Sequence, residues 1–192
     1  MRRDDGQTVG LYVVAMAALF FLAFAYFAVG QASVLRNSTQ SAADAAALAA
    51  AREGRDQMRQ DFLAALSAGD TSALGDLLAR DGDDAVAACG KAADYSADNG
   101  ASVQTCTQVS GPPGYFVEVR STDTVGRTEV KGTESVHATA RATAVLEPRC
   151  TVDGTRGDAV RFACEDGEVT VDPAADGFRL DLSVFYRVRL ST

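Results

Sequence analysis

Residues 9–30 read VGLYVVAMAALFFLAFAYFAVG, and they lie within a stretch, residues 6–35, that contains no charged side chain. As an α-helix, residues 9–30 rise about 33 Å, which matches a membrane hydrocarbon core of about 30 Å. A helix in a soluble core would be shorter or carry a polar stripe. A cleavable signal peptide has a shorter apolar region of about 7–15 residues behind a clearly basic start. The sequence therefore predicts a transmembrane helix over residues 9–30.

The orientation of this helix is predicted from the basic residues that flank it. Arg2 and Arg3 stand just before the apolar stretch, whereas Arg36 stands alone just after it. Because cytoplasmic flanks carry the excess of Lys and Arg, we expect residues 1–8 to form a cytoplasmic N-terminus. The prediction is a single-pass protein of the plasma membrane with an extracytoplasmic C-terminal domain.

The chain has four cysteines, Cys89, Cys106, Cys150 and Cys164, and they agree with that orientation. Disulfides persist in oxidising compartments, and no two of these cysteines form a C-x-x-C pair that zinc would favour. Of the three possible connectivities, we favour Cys89–Cys106 and Cys150–Cys164, since a local structure between each sequential pair can close it. The alternative is four reduced, buried cysteines in a cytosolic domain, which requires the opposite topology.

Residues 31–52 are predicted to extend the membrane helix outward as an alanine-rich rod. No proline or glycine occurs between Gly30 and Gly54, and alanine is the best helix former. Small side chains allow another helix to approach closely, so we expect helix packing at Ala25, Ala28, Ala42 and Ala46. The alternative is that the alanines fill a helix that faces the protein's own sheet.

Residues 53–192 are predicted to form an extracytoplasmic α+β head. Helices are expected over residues 56–68, from a cap at Thr71 or Ser72 to Leu78, and over residues 84–98, where Val86, Cys89 and Ala93 have helical spacing. The acidic run at residues 81–84 is interpreted as a solvated turn, because it lacks the alternating ligands of a calcium loop.

Beyond Ser102 the apolar pattern changes to a period of two, which indicates strands. Val103 and Thr105 begin one alternating strand, residues 115–119 the next, and residues 134–146 place alanines on one face. His137 is expected to be a solvent-facing strand residue rather than a ligand. A hairpin about Asp166-Gly167 and a final strand over residues 178–190 complete an antiparallel sheet of about five or six strands.

Composition and motifs exclude several classes of function. The net charge of −8 argues against nucleic acid or anionic lipid as a partner. With one histidine, no G-x-S-x-G nucleophile motif and no metal-spaced cluster, we predict that the protein is not an enzyme. No cofactor, metal or small-molecule substrate is expected, whereas the lipid bilayer is an expected partner.

Several segments resemble TadE/TadG-like (Flp, tight-adherence) pilus-assembly proteins of actinobacterial type. They are the start RRDDGQ, the stretch AFAYFAVGQASVLRNSTQSAADAAALAAA, the helix that ends at residues 98–100 before the Cys106 strand, and VKGTESVHATARATAVLEPRC. The resemblance implies a long N-terminal transmembrane helix that continues into a pilin-like head. It also implies a non-enzymatic part of a pilus assembly or secretion machine, with other pilin-like membrane proteins as partners.

Two roles are compatible with this resemblance: a minor pilin-like subunit (a pseudopilin), or an anchored assembly factor. In processed pilins, a glycine before the apolar segment is followed five residues later by a glutamate. Here the fifth residue after Gly6 is Leu11, so we do not expect cleavage by a prepilin peptidase, and the anchored role is favoured. The alternative outside this family is a membrane-tethered binding or scaffold domain unrelated to pili.

Overall fold

The computed structural model describes residues 7–79, 84–126, 132 and 134–191. The predictions made for residues 1–6 and for the turn at residues 81–83 lie outside these ranges. Within them the chain has a long N-terminal helix, three shorter helices and an antiparallel β domain, which confirms the predicted α+β class.

The first helix, α1, runs from Gln7 to Gln57 without interruption over 51 residues, or about 77 Å. The continuous rod predicted from the alanine-rich sequence is thus present, and it extends beyond the expected end near Arg52. Residue Met58 separates α1 from α2, Arg59–Ala68, which ends at Gly69 in the left-handed conformation (φ 63°). Phe62 and Leu66 of α2 are buried, as their spacing indicated.

Helices α3, Thr71–Leu78, and α4, Ala85–Asp98, both start at an aspartate whose side chain accepts backbone N–H groups. The cap of α3 is therefore Asp70, not Thr71 or Ser72 as predicted.

Of the three residues whose spacing predicted α4, Val86 is 83% exposed, Ala93 is exposed and Cys89 is half-buried. The buried residues are Ala88, Ala92 and Ser96. Helix α4 packs against α1, whose facing residues are mostly alanine, and a close approach of two helices selects small side chains. The predicted helix is confirmed, and its buried face carries small side chains.

Seven strands form two antiparallel sheets in the described residues. The first sheet has the order β1-β2-β3-β7 and the second β4-β5-β6. The strands are β1 Ala101–Val109, β2 Gly114–Thr124, β3 His137–Pro148, β4 Cys150–Arg156, β5 Ala159–Cys164, β6 Gly167–Val171 and β7 Tyr186–Leu190. The prediction of one sheet with five or six strands was wrong, because alternation indicates which face a strand buries but not its neighbour.

The predicted strand over residues 178–190 exists only in its last part, β7. Before it lies a short 3₁₀ helix, Leu182–Val184, whose start is capped by Asp181: its carboxylate accepts the Ser183 N–H at 2.9 Å. Hydrogen bonds from Ser183 hold the pKa of Asp181 below its usual value. The turn breaks the alternation, so Val184 is 40% exposed while Phe185 is buried.

Two smaller details of the first sheet also differ from the predicted pattern. A register shift in β1 between Val103 and Thr105 turns Thr105 outward and packs Cys106 against the core. His137 does not face solvent; it is half-buried, and its Nδ1 lies 2.8 Å from the carbonyl oxygen of Ser121.

A single hydrophobic core joins the helices and both sheets. The C-terminal part of α1 lies against β2 and β3 on one side and against α4 on another. Phe62, Phe162 and Phe185 connect α2 to the second sheet, with the ring centre of Phe185 4.9 Å from Phe62 and 4.8 Å from Phe162. Tyr186 donates its hydroxyl to the Leu77 carbonyl at 2.8 Å, and burial raises its pKa. The head is therefore a packed unit that includes part of the long helix.

Candidate functional site on the long helix

Residues 9–34 of α1, which we term the apolar half, are exposed along almost their whole length. They include large side chains such as Leu11 (74% exposed), Tyr26 (83%) and Val34 (69%). This is the one helix in the described residues that is long and apolar enough to cross a membrane, and its most apolar stretch has no buried part. Water is a poor solvent for so large an apolar surface, so lipid or other helices must cover it.

Residues 39–51, which we term the alanine half, have the opposite environment. Thr39 is 2% exposed and donates its hydroxyl to the Leu35 carbonyl at 2.7 Å, which satisfies it inside the helix. Six of the alanines have no exposed surface: Ala42, Ala43, Ala46, Ala47, Ala50 and Ala51. This half is thus a central element of the head rather than a spacer between the membrane and the head.

The end of β2 meets α1 where the two halves join. Asp123, Thr124 and Val125 lie beside residues 26–38 and enclose a groove of about 610 Å³, the junction groove. Gln31 lines this groove, and its Oε1 atom is buried without a hydrogen-bond partner in the described part of the chain. Gln31 lies near the end of the apolar half. There an unsatisfied amide oxygen can accept a hydrogen bond from a donor on another helix.

The four predicted helix-packing residues divide between the two halves. Ala25 and Ala28 are half-buried in the apolar half, near the junction groove. Ala42 and Ala46 are fully buried inside the head, where α1 packs against its own sheet and α4. Only Ala25 and Ala28 therefore lie on a part of α1 that another protein can reach.

Sequence reasoning missed a close contact at the upper end of α1. A Cβ atom placed on Gly54 would lie 2.8 Å from the ring of Tyr115, which is itself 1% exposed. A glycine inside a helix lowers helix stability by about 1 kcal/mol relative to alanine. Its presence at position 54 of a predicted helix could therefore have indicated a close packing contact there.

Both disulfides join sequential cysteines. The Cys89–Cys106 bridge links α4 to β1, with Cα atoms 5.8 Å apart, and Cys150–Cys164 links opposed residues of β4 and β5, with Cα atoms 3.9 Å apart. Each bridge closes a short loop, which lowers the entropy of the unfolded chain and raises the free energy of unfolding by about 3 kcal/mol. The bridges brace the two sides of the head and hold no thiol available for chemistry.

The charged side chains of the head form exposed ion pairs rather than a reactive cluster. Arg149 contacts Glu165 and Asp166, and Arg189 contacts Glu147. The hydrogen bond from Arg189 holds the pKa of Glu147 below its usual value, which suits a structural ion pair. No group of three or more potential metal ligands occurs in the residues that the structure describes. The long helix is thus the feature with the clearest functional signature.

Residues 6–53 match the model of a family described as putative Flp pilus-assembly TadE/G-like. The resemblance seen in the sequence is thereby confirmed for this segment, which covers nearly all of α1 and ends before α2. No curated protein and no solved structure matches the chain. The family match and the candidate span together fit a single-pass membrane protein with a role related to Tad/Flp pilus assembly.

Proposed function

Because the TadE/G-like match coincides with α1, we propose that this protein is a non-enzymatic, membrane-anchored component of a Tad/Flp pilus assembly or secretion machine. Its apolar half crosses the membrane and binds the helices of other pilin-like proteins, and its head lies outside the cell. The observation that carries this proposal is the division of one continuous helix into an exposed apolar half and a buried alanine half.

The proposed contact surface is the part of the apolar half nearest the head. Between helices in lipid, small residues permit close packing, and side-chain amides form hydrogen bonds across the interface. Ala25 and Ala28 supply small side chains there, and Gln31 supplies an unpartnered acceptor. A neighbouring helix would cover the two alanines, and a donor on that helix would reach the buried Oε1 atom of Gln31 once this side chain turns outward.

Between the two roles that the family allows, we favour the anchored assembly factor over a subunit of the filament. Leu11 stands where processed pilins have a glutamate, and no acidic residue occurs between Asp5 and Asp44. Arg2 and Arg3 before the span support a cytoplasmic N-terminus. The two disulfides support an oxidising compartment for the head.

Photo-crosslinking in cells tests the proposed contact surface. A crosslinking residue at Ala28 should capture small pilin-like membrane proteins, whereas the same residue at Arg156, an exposed position on β4 of the head, should capture none. Replacing residues 9–30 by an unrelated apolar span of equal length, with the crosslinking residue kept at position 28, should abolish the capture but leave the protein in the membrane. Capture and pilus assembly that both survive this replacement would instead indicate a tethered scaffold unrelated to pili.

A further inference from the structure

One end of the first sheet lies beside the apolar half of α1. Strand β2 ends at Thr124 and β3 begins at His137, and just beyond them the N–H of Val125 donates to the carbonyl oxygen of Val136 at 3.0 Å. We term this pair, Val125 and Val136, the β2–β3 end. We propose that the β2–β3 end rests in the interfacial layer of the membrane, so that lipid contacts the head as well as α1.

The contacts between α1 and the sheet give the direction of β3. Near the start of β3, the Arg141 carbonyl oxygen accepts a hydrogen bond from the Gln40 amide at 3.0 Å. Farther along β3, Ala144 pairs with Tyr115, whose ring lies beside Gly54 of α1. Gly54 is much farther along α1 than Gln40, so β3 and α1 run in the same direction. The start of β3 is therefore its end nearest the apolar half.

The level of Val136 along α1 follows from this direction. Thr139 lines the same cleft as Arg36, and Arg36 is about 9 Å beyond Gly30, the end of the predicted span. Val136 comes three residues before Thr139, which is about 10 Å of extended chain toward the apolar half. Val136 therefore lies close to the level of Gly30, where the headgroup region adds about 5–8 Å to the hydrocarbon core.

Val125 gives the same level from the neighbouring strand. Because β2 is antiparallel to β3, it runs toward the apolar half and ends there. Val125 lines the junction groove together with Tyr26, Phe27 and Gly30, which belong to the predicted span. The head and the span thus occupy the same depth on this side of α1. A membrane that covers these three residues of α1 also reaches the β2–β3 end.

The side chains of the β2–β3 end suit the interfacial layer. Val136 is 47% exposed and Val125 is half-buried, so both retain apolar surface that water solvates poorly. The adjacent Thr124 and Ser135 are polar but uncharged, and the hydrated headgroup layer, unlike the hydrocarbon core, can hydrogen-bond to such groups. The contact is apolar and needs no attraction between charges. It is therefore compatible with a chain of net charge −8.

Fluorescence quenching tests the proposal, because the chain contains no tryptophan. The full chain is placed in phosphatidylcholine nanodiscs whose acyl chains carry bromine, a quencher, either near the headgroup or near the bilayer centre. Val136→Trp should lose about half of its fluorescence to bromine near the headgroup and less to bromine near the centre. The matched control is Val184→Trp. Val184 is 40% exposed and lies two residues before Tyr186, which pairs with Pro148 at the far end of β3, so neither bromolipid should quench this variant.

Two further variants separate the outcomes. The proposal rests on α1 crossing the membrane, as the proposed function does, and Leu19→Trp in the middle of the predicted span tests that premise: bromine near the bilayer centre should quench it most. Ser135→Trp, at an exposed position next to Val136, repeats the measurement with a second substitution. Quenching of Leu19→Trp without quenching of Val136→Trp and Ser135→Trp would overturn this proposal alone.

The other outcomes are equally decisive. No quenching of Leu19→Trp would overturn the membrane span as well as the contact of the head. Equal quenching of Val136→Trp and Val184→Trp would show that lipid does not select the β2–β3 end, and would overturn the proposal. Neither Val136→Trp nor Ser135→Trp changes the helix surface around Ala28, so a failure of the lipid contact would leave the crosslinking result at Ala28 unaltered.

Discussion

The two halves of α1 differ in side-chain size and have opposite surroundings. The apolar half carries Leu, Phe, Val and Tyr side chains, nearly all exposed, and the alanine half carries alanines that are nearly all buried. In lipid, a large apolar side chain meets a solvent as apolar as itself, so nothing limits its size. Against a sheet and a second helix, the size of the side chain sets the distance of approach. Side-chain volume, as well as hydropathy, thus distinguishes the exposed part of the helix from the part that packs inside the head.

The largest expected effect comes from a charge in the middle of the apolar half. Leu19→Arg should raise the free energy of membrane insertion by about 3 kcal/mol, because an arginine at the centre of a span loses its hydration. Carbonate extraction of membranes measures the fraction that remains inserted. Ser41→Arg places the same charge on an exposed position of the alanine half and should leave insertion unchanged. Equal extraction of both variants would show that residues 9–34 do not cross the membrane.

A smaller effect is expected from added volume in the alanine half. Ala46 has no exposed surface, so Ala46→Leu forces about three more carbon atoms into a packed core and should destabilise the head by about 2 kcal/mol. Ala32 is exposed, and Ala32→Leu should change stability by no more than about 0.5 kcal/mol. Urea unfolding in detergent micelles gives both values. A tolerated leucine at Ala46 would contradict the volume argument.

The smallest expected effect concerns two glycines within α1. Gly54→Ala brings a Cβ to 2.8 Å from the buried ring of Tyr115, whereas a Cβ on Gly30 meets nothing within 4 Å. Alanine gains about 1 kcal/mol in helix propensity, but displacement of a packed ring costs about 1–3 kcal/mol. We expect Gly54→Ala to lower the urea midpoint modestly and Gly30→Ala to leave it unchanged or raise it. A higher midpoint for Gly54→Ala would mean that Tyr115 moves freely.

The long helix and the change from helices to strands could be predicted because each follows from a local pattern. An uncharged run of 30 residues and a segment without proline or glycine between Gly30 and Gly54 are sufficient to indicate α1. The candidate contact surface could be predicted only in part. Composition marked Ala25, Ala28, Ala42 and Ala46 alike, and only tertiary packing buries the last two.

The remaining differences arise where tertiary contacts override a local pattern. Residues 178–190 alternate like one strand, yet Asp181 caps a 3₁₀ turn within them. The turn interrupts the alternation, so Phe185 points into the core and packs against Phe62. In α4 the spacing of Val86, Cys89 and Ala93 indicated the helix, but the buried residues are Ala88, Ala92 and Ser96. Local patterns could not predict which strands pair, because the division into two sheets depends on contacts between residues that are distant in the sequence.

The uninterrupted passage of α1 from the apolar half into the core couples the facing direction of the head to the register of the anchor. Adding a single residue near Ala32 or Ser33 would swivel the entire head by about 100° about the helix axis and lift it by about 1.5 Å. Adding four residues would bring it to within about 40° of its original azimuth and about 6 Å higher, and adding seven would bring it to within about 20° and about 10.5 Å higher. The number of residues between the bilayer and the head therefore determines the direction in which the head faces, and each inserted or deleted residue changes that direction by about 100°.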